Sequence, residues 1–330
     1  MKQRFVLFTA FLFLLSSILI ACEGTKKEDK NTDKAESEYG IKSLRIATGG
    51  TGGTYYPIGG YLAKLITDST GVETNAITSE ASVENLKLLE DGDAQLAFTQ
   101  SDIANYAIEG THMYEGDKVT KLQAVGTLYP ETIQIVTTKE AEIHSVADLK
   151  GKIVSIGSEQ SGTKTNAEQI LEVYGLSIGD VNTRHFSFDD STTALQDGKI
   201  DAAFLTSGTP TGAIEGLKAT KDIVIINLED DKLEQLINKY PYYQKDTIPA
   251  GTYDSVENVH TAAVQAMLVV NSDISEDLVY EVTKLLFEST DKLGHPKGTF
   301  ITADKALDGT AFDIHPGAMR YFKEKGISTE

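Results

Sequence analysis

The pattern of apolar and polar positions after residue 43 predicts a strand that leads through a glycine-rich loop into a helix. Residues 44–47 (LRIA) form the predicted strand, and residues 48–56 (TGGTGGTYY) form the loop. Residues 59–67 carry apolar side chains at helical spacing, with Pro57 in the first turn and Gly71 as a C-cap. A flexible backbone beside the free amides of a helix N-terminus favours an anion. The stretch predicts a ligand-binding turn, although such turns also occur in α/β proteins for steric reasons alone.

A second copy of this pattern strengthens the ligand-binding interpretation. Residues 152–157 (KIVSIG) read as a strand, residues 158–165 (SEQSGTKT) as a loop of small and hydroxyl residues, and residues 166–174 as a helix. Each copy is followed by a related phrase, LEDGDAQLAF at residues 89–98 and LQDGKIDAAF at residues 195–204. The sequence therefore predicts an α/β fold of two similar halves whose loops face each other across a cleft for a small molecule.

Two long β-forming stretches are the predicted connections between these halves. Residues 123–138 alternate in polarity and are broken by Pro130, which suggests a hinge near residues 128–132. Residues 261–270 (TAAVQAMLVV) read as the returning strand, and residues 276–288 as an amphipathic helix that packs back on the first half. These boundaries predict domain 1 over residues 44–130 plus 265–330 and domain 2 over residues 131–264.

Several polar residues of the first half lie at predicted element ends. Ser82 is a predicted N-cap for a helix over residues 83–90. Residues 100–102 (QSD) lie just past a strand end, where ligands bind in open α/β sheets. Glu80 and Glu84 suit an ammonium group, and helix capping and solvation explain them equally well. The strand end is therefore a candidate part of the binding cleft.

The charge balance excludes one class of partner. The chain has 30 Lys and Arg against 49 Asp and Glu, a net charge of −19. A nucleic-acid-binding protein needs a basic face that releases counterions from phosphates, so this composition argues against nucleic acid. An anionic ligand must then be held by local dipoles and hydroxyl groups, because the long-range field opposes it.

The amino terminus has the pattern of an export signal. Residues 1–21 begin with Lys2 and Arg4 and continue as an apolar run that is short for a membrane span of about 20 residues. Cys22, the only cysteine, follows Leu-Ile-Ala as in the lipobox of bacterial lipoproteins, where the cysteine is lipidated, whereas a lone cysteine is otherwise usually a small buried residue. Residues 22–43 are predicted to be the lipidated cysteine and a disordered tether. We expect an exported protein, anchored at the outer face of the cytoplasmic membrane or in the periplasm.

The sequence lacks the catalytic motifs that are most easily recognised. It contains no GxSxG motif and no HExxH motif, and its six histidines form no close ligand pair. Residues 157–165 come near to a P-loop, but Thr163 is inserted between Gly162 and Lys164 and displaces the lysine. The segment still suits an anion at a helix start. We predict no enzyme, no catalytic residue, no metal and no cofactor.

Several motifs together resemble one known family. They are LRIATGGTGGTYYPIGG, SVENLKLLEDGDAQLAFTQSD, GTLYPETIQIV, LKGKIVSIGSEQSGT and HPGAMRYFKEKG, in this order from about residue 44 to the end. This combination is similar to the TAXI proteins, the solute receptors of TRAP-type secondary transporters. The resemblance implies a type II periplasmic-binding-protein fold, in which two α/β domains joined by hinge strands close over a solute and deliver it to a membrane permease.

The resemblance also implies a solute class and a set of binding residues. Known members look to bind glutamate, glutamine or a dicarboxylate such as 2-oxoglutarate, and we expect this protein to do so as a monomer. The residues that the resemblance implies as ligand-binding are Thr51, Gly52, Thr54, Tyr55, Ser82, Gln100, Ser161, Gly162, Thr163, Thr206 and Ser207. Two alternatives stay open on the sequence alone: a solute sensor that docks on a membrane kinase, and an extracytoplasmic enzyme on the same scaffold.

Overall fold

The computed structural model describes residues 38–327, so the predictions for the signal peptide and for Cys22 lie outside the described residues. The first half alternates strands and helices as predicted. Its elements are β1 (Ser43–Ala47), α1 (Tyr55–Thr70), β2 (Glu73–Ile77), α2 (Ser82–Glu90), β3 (Leu96–Gln100) and α3 (Ser101–Glu109). β1 pairs in parallel with β2 and β3. Gly71 ends α1 in the left-handed conformation, with φ of 71°, which confirms its predicted role.

The second half follows the long strand β4 (Leu122–Thr138) and repeats the same order of elements. It contains β5 (Ile153–Ser155), α4 (Gly162–Val173), β6 (Asn182–Arg184), α5 (Phe188–Gln196), β7 (Ala202–Ser207) and α6 (Gly212–Lys218). β5 pairs in parallel with β6 and β7, as β1 does with its neighbours. The elements β8 (Ile223–Ile225), α7 (Asp230–Lys239) and β9 (Gln244–Ile248) complete it.

The chain then returns through β10 (Val259–Asn271), followed by α8 (Glu276–Glu288) and α9 (Pro316–Glu324). β4 and β10 pair side by side and antiparallel at the centre of one ten-stranded sheet, whose main path is β2-β1-β3-β10-β4-β7-β5-β6. The two predicted crossing strands are thus confirmed as strands. The predicted break at Pro130 is wrong, because β4 continues through it. The register of β4 against β10 shifts beside Pro130, and a bulge of this kind tolerates the missing N–H.

The register of the sheet brings the ends of two strands to its centre. β3 ends at Gln100, which pairs with Ala266 on β10, and β7 ends at Ser207, which pairs with Thr132 on β4. Glu131 lies between these two residue pairs, in the middle of β4. Ligands of open α/β sheets bind at the carboxyl ends of strands. The pairing therefore places both strand ends, one from each half, around the same point.

The buried apolar residues form separate clusters in the two halves. Two clusters draw their buried members from residues 44–129 and 266–322, and two others draw theirs from residues 133–264. α8 and α9 contribute to the first set, as expected for a helix that returns to the first half. The division into domains over residues 44–130 plus 265–330 and 131–264 stays a prediction, since β4 and β10 run unbroken from one set of clusters into the other.

Three helix starts differ from the sequence-based expectation. α4 begins at Gly162, four residues earlier than predicted, and α1 begins at Tyr55, two residues before Pro57. α2 begins at Ser82 itself, after Ala81 with φ of 79°, so Ser82 is not an N-cap. Its hydroxyl instead accepts a hydrogen bond from the backbone N–H of Gln100 at 3.2 Å. These helix starts depend on tertiary contacts, which the local sequence pattern does not show.

Across residues 38–327, no helix combines the length and apolar character needed to cross a bilayer.

Two adjacent glycines of α1 give a matched test of its packing. A Cβ on Gly59 would stand 2.6 Å from Cγ2 of Thr48 and 3.3 Å from Cε2 of Phe98, whereas a Cβ on Gly60 meets nothing within 4 Å. We expect Gly59→Ala to lower the free energy of unfolding by about 1–3 kcal/mol through overpacking. Gly60→Ala should raise it by about 0.5–1 kcal/mol through helix propensity. Urea unfolding of the two variants measures both changes, and changes of the same sign would contradict this packing.

Candidate functional site

A cavity with a volume of about 60 Å³ lies where the loops and strand ends of the two halves meet. By the measure in which one water needs about 10–15 Å³, it has room for roughly four to six water molecules, which suits a small solute. Nine of the eleven residues predicted from the sequence line it: Thr54, Tyr55, Ser82, Gln100, Ser161, Gly162, Thr163, Thr206 and Ser207. The structure therefore brings together residues from both halves that lie far apart in the chain.

Several helices begin at this cavity, and two of them, α1 and α4, hold corresponding places in the two halves. α1 starts after Thr54 and α4 starts after Ser161, and both of these residues line the cavity. The first amides of a helix have no partner within the helix and carry partial positive charge. The Ser161 hydroxyl accepts from the Lys164 N–H at 3.2 Å and donates to the Ser158 carbonyl at 2.7 Å, which fixes the start of α4. The arrangement can hold a negatively charged group at either helix start.

Gly162 has a steric reason to be glycine. A Cβ at this position would stand 1.6 Å from Oε1 of Gln100, on the opposite half. Only a residue without a side chain permits this approach of α4 to the end of β3. Within the described residues, that Oε1 atom is buried and has no hydrogen-bond partner, so an unsatisfied acceptor lies at the cavity wall.

Thr51 and Gly52 are the two predicted residues that do not line the cavity. Thr51 donates a hydrogen bond from its hydroxyl to Oδ2 of Asp189 at 2.9 Å. The Gly52 carbonyl accepts from the backbone N–H of Ala213 at 3.1 Å, and a Cβ on Gly52 would collide with the Asp189 carboxylate. Both residues contact the second half of the chain, so in this structure they join the halves, and their part in ligand binding stays a prediction.

Glu131 is a cavity residue that the sequence-based analysis missed. Its side chain is 2% exposed, and it lines the cavity from the middle of β4. The Tyr55 hydroxyl donates to its Oε2 at 2.5 Å, and the Tyr55 ring stacks on Phe98 with centroids 5.2 Å apart. Burial raises the pKa of Glu131 to about 8, against a lowering by the Tyr55 hydrogen bond. The sequence signal that could have indicated this residue is a single acidic side chain within a strongly β-forming stretch.

The cavity has an unusual balance of charge for an anion site. Its lining includes the carboxyl groups of Glu80 and Glu131, and no Lys, Arg or His is among its lining residues in the described part of the chain. Glu80 is exposed and accepts a hydrogen bond from the Gln160 N–H at 2.8 Å. The other lining residues are mostly small or polar. Gly49, Gly50, Gly53 and Ser158 belong to the two loops predicted to bind the ligand, whereas Ser79, Ala81, Ser187 and Phe188 were missed from the sequence.

A buried polar network beside the cavity joins the two halves. Its centre is Asn166 on α4, whose Nδ2 donates to Oδ2 of Asp102 at 3.1 Å and to the Tyr243 hydroxyl at 2.8 Å. Its Oδ1 accepts from Nε2 of Gln100 and from the Thr206 hydroxyl, both at 3.0 Å. The Asn166 side chain thus donates two hydrogen bonds and accepts two. The network therefore fixes the relative placement of α3, α4 and β7.

Asp102 is a second buried carboxyl group near the cleft. Burial raises the pKa of Asp102 to about 7, although the hydrogen bonds from the Ile103 N–H and the Asn166 side chain lower it. Among the described residues, its Oδ1 has no hydrogen-bond partner. With its pKa raised to about 7, Asp102 is partly protonated at neutral pH.

Comparison with known proteins gives the family and the fold. The structure has the fold of type II periplasmic binding proteins, with two strand-helix halves about a central pair of crossing strands. The chain belongs to the NMT1-like family, whose profile matches residues 46–326.

Three solved structures illustrate this likeness. A protein of Bordetella bronchiseptica RB50 is 16% identical with a TM-score of 0.54, over 87% of this chain and 98% of that one. PhnD1 of Prochlorococcus marinus, in complex with methylphosphonate, is 14% identical with a TM-score of 0.52, over 86% and 97%. The periplasmic aliphatic sulphonate binding protein SsuA of Escherichia coli is 14% identical with a TM-score of 0.44, over 86% and 83%.

The cap of α4 can be tested apart from ligand binding. We expect Ser161→Ala to lower the free energy of unfolding by about 0.5–2 kcal/mol, because the N-cap hydrogen bond to the Lys164 N–H is lost. Ser161→Gly is the matched control and should cost only a few tenths of a kcal/mol, since glycine is accepted at this position. Urea unfolding without solute measures both. Equal costs for alanine and glycine would show that the hydroxyl is not a cap.

The buried carboxyl groups make stability depend on pH. Burial raises the pKa of Asp102 from 3.8 to about 7 and that of Glu131 from 4.5 to about 8, so the folded protein binds these protons more tightly than the unfolded chain. The stability from this source is complete below about pH 4 and is lost as pH rises to about 8. Asp102→Asn and Glu131→Gln should each reduce the loss of unfolding free energy between pH 4 and pH 8 by on the order of a few kcal/mol. Urea unfolding at intervals from pH 4 to 8 checks this, and parallel curves for variant and parent would contradict it.

Proposed function

We propose that this protein is an extracytoplasmic solute-binding receptor of the TAXI type. In this proposal it binds a small acidic solute between its two halves and delivers it to a TRAP-type permease. The observation that carries the proposal is the convergence of two helix starts and two strand ends, one of each from either half, on a single cavity lined by hydroxyl, amide and carboxyl groups. The proposed solutes are glutamate, glutamine or a dicarboxylate such as 2-oxoglutarate, and the proposed anchor is a lipid on Cys22.

The physics of the site supports the binding of a carboxylate. The starts of α1 and α4 each contribute about 0.3–2 kcal/mol of favourable charge interaction with an anion. The Thr163 hydroxyl lies in the first turn of α4 and adds a hydrogen-bond donor, whereas the Ser161 hydroxyl already donates to the Ser158 carbonyl. More than half of the lining residues are buried, and hydrogen bonds to a charged group are stronger in such surroundings.

The contacts between the halves support closure around the solute. The Thr54 and Ser207 hydroxyls lie 3.0 Å apart, and the N–H groups of Val83 and Glu84 both donate to the Gln160 carbonyl, at 3.1 and 3.2 Å. A solute that contacts residues of both halves adds to these bonds and favours the closed arrangement. Release to a permease then requires that the same contacts be broken.

The proposed function predicts stabilisation by a specific solute. The purified protein, freed of bound solute by unfolding and refolding, is heated with L-glutamate, L-glutamine, 2-oxoglutarate and a set of neutral metabolites. A solute at about 100 times its dissociation constant adds roughly 2.7 kcal/mol to the free energy of unfolding, which gives a clear rise in the melting temperature. We expect the rise with at least one of the acidic solutes or glutamine and not with the neutral set.

Other outcomes separate the alternatives. A rise only with some other solute would keep the receptor and reject the proposed solute class. Conversion of a solute into a product would reject the receptor in favour of an enzyme. No rise with any solute would favour a protein that acts through a binding partner.

A further inference from the structure

We infer that the solute carries a protonated amino group and that the Glu131 carboxylate, in the middle of β4, binds it. The inference rests on the proposed function and narrows its solute class. Within glutamate, glutamine and 2-oxoglutarate, it selects the amino acids and rejects the oxo acid. Glu131 then becomes the residue that determines this specificity.

The first argument is the charge of the cavity. Its lining holds two carboxyl groups and no basic side chain among the described residues, so a solute with two negative charges finds no positive side chain in the wall. Lys297 lies outside the lining, with its Nζ 4.6 Å from the centre of the Phe300 ring. A charge removed from water without an opposite partner is costly. An amino acid brings its own positive charge to Glu131 and leaves a carboxylate for a helix start.

The second argument is the position of Glu131. It lies on the central strand pair, between the end of β3 at Gln100 and the end of β7 at Ser207. The helix starts reach the cavity from the two flanking halves. A solute that spans the cavity therefore has an acidic group at its centre and amide donors at its sides, which is the arrangement that a zwitterion requires.

The third argument is the difference between the two carboxyl groups of the lining. Glu80 is exposed and its Oε2 is occupied by the Gln160 N–H, so water and a backbone amide account for it. Glu131 is buried, and within residues 38–327 the one hydrogen bond to its side chain is the one that Tyr55 donates to Oε2. A buried carboxyl group without a cationic partner in contact is costly to maintain. A bound ammonium group would offset that cost.

The inference has a consequence for protons. Burial raises the pKa of Glu131 to about 8, so at pH 7 the carboxyl group is mostly protonated in the empty cavity. An ammonium group favours the ionised form, so binding releases a proton to the buffer. A solute with a second carboxylate in place of the amino group has the opposite effect and retains or takes up a proton. The titratable groups that act on Glu131 are Tyr55 from α1, Asp102 from α3, Tyr129 from β4 itself and Lys297 from the turn Pro296–Phe300.

Of these groups, Tyr55 and Tyr129 stay neutral at pH 7, because burial raises the pKa of both well above the usual value. Asp102 carries a like charge when ionised and raises the pKa of Glu131, whereas Lys297 lowers it. Asp102 itself titrates near pH 7, so the number of protons released must be compared with a variant that lacks only the Glu131 carboxyl group.

The test is isothermal titration calorimetry at pH 7 in two buffers of different ionisation enthalpy. The probes are L-glutamate, 2-oxoglutarate and L-glutamine, of which the first two differ only in the amino and oxo groups. We expect at least one of the amino acids to bind 10-fold or more tightly than 2-oxoglutarate. We also expect it to release between half a proton and one proton for each molecule bound.

Variants assign the effect to one residue. Glu131→Gln should weaken binding of the amino acid 10-fold or more, abolish most of the proton release and leave 2-oxoglutarate binding unchanged or stronger. Glu80→Gln is the matched control, a loss of the other lining carboxylate, and should keep the proton release. Circular dichroism and thermal unfolding establish whether each variant is folded. If a variant does not fold, the comparison of the three probes on the parent protein still tests the inference.

The outcomes distinguish this inference from the proposed function. Binding of 2-oxoglutarate as tightly as the amino acids, or uptake of a proton by the bound amino acid, would overturn the inference and leave the receptor intact. Proton release that persists in Glu131→Gln would overturn the role of Glu131. If none of the three probes binds, both the inference and the proposed solute class fail.

Discussion

The pairing of β4 with β10 is the constraint on which the rest of the structure depends. Besides pairing with each other, β10 carries β3 and β9, and β4 carries β7 and β8. The ends of β3 and β7 are therefore positioned by hydrogen bonds in the sheet. A slip of one residue between β4 and β10 would turn Glu131 to the opposite face of the sheet. The register shift beside Pro130, next to this residue, makes such a slip harder, because a bulge has one fitting position.

Polar groups, more than apolar ones, specify how the halves meet. The apolar clusters belong to one half or the other, whereas Gln100 and Asp102 of the first half find a common partner in Asn166 of the second. Buried polar groups need partners, and here each half supplies them for the other. Apolar packing alone tolerates many relative placements, but a network of this kind accepts few. The cleft is thus a defined volume, with donors and acceptors at fixed positions.

The sequence predicted what depends on near neighbours and missed what depends on distant ones. The strand at β1, the helix α8 and the left-handed Gly71 follow from local pattern, and all three are present as expected. Glu131 followed from no such pattern, since its burial arises from pairing with β10 and from Tyr55, 76 residues away. Ser82 had the sequence of an N-cap, but its hydroxyl is used by the end of β3. Chemistry at the boundary of two halves is set by tertiary contacts that a linear pattern does not record.

The order of strands in the sheet reads the same from either edge, with three parallel strands on each side of the central pair. A cleft that shared this symmetry completely would accept a solute equally well in either of two opposite directions. Glu131 on β4 is paired with Val264 on β10, so the axis itself has an acidic side and an apolar side. This pair distinguishes the two directions at the centre of the cleft, where the halves meet.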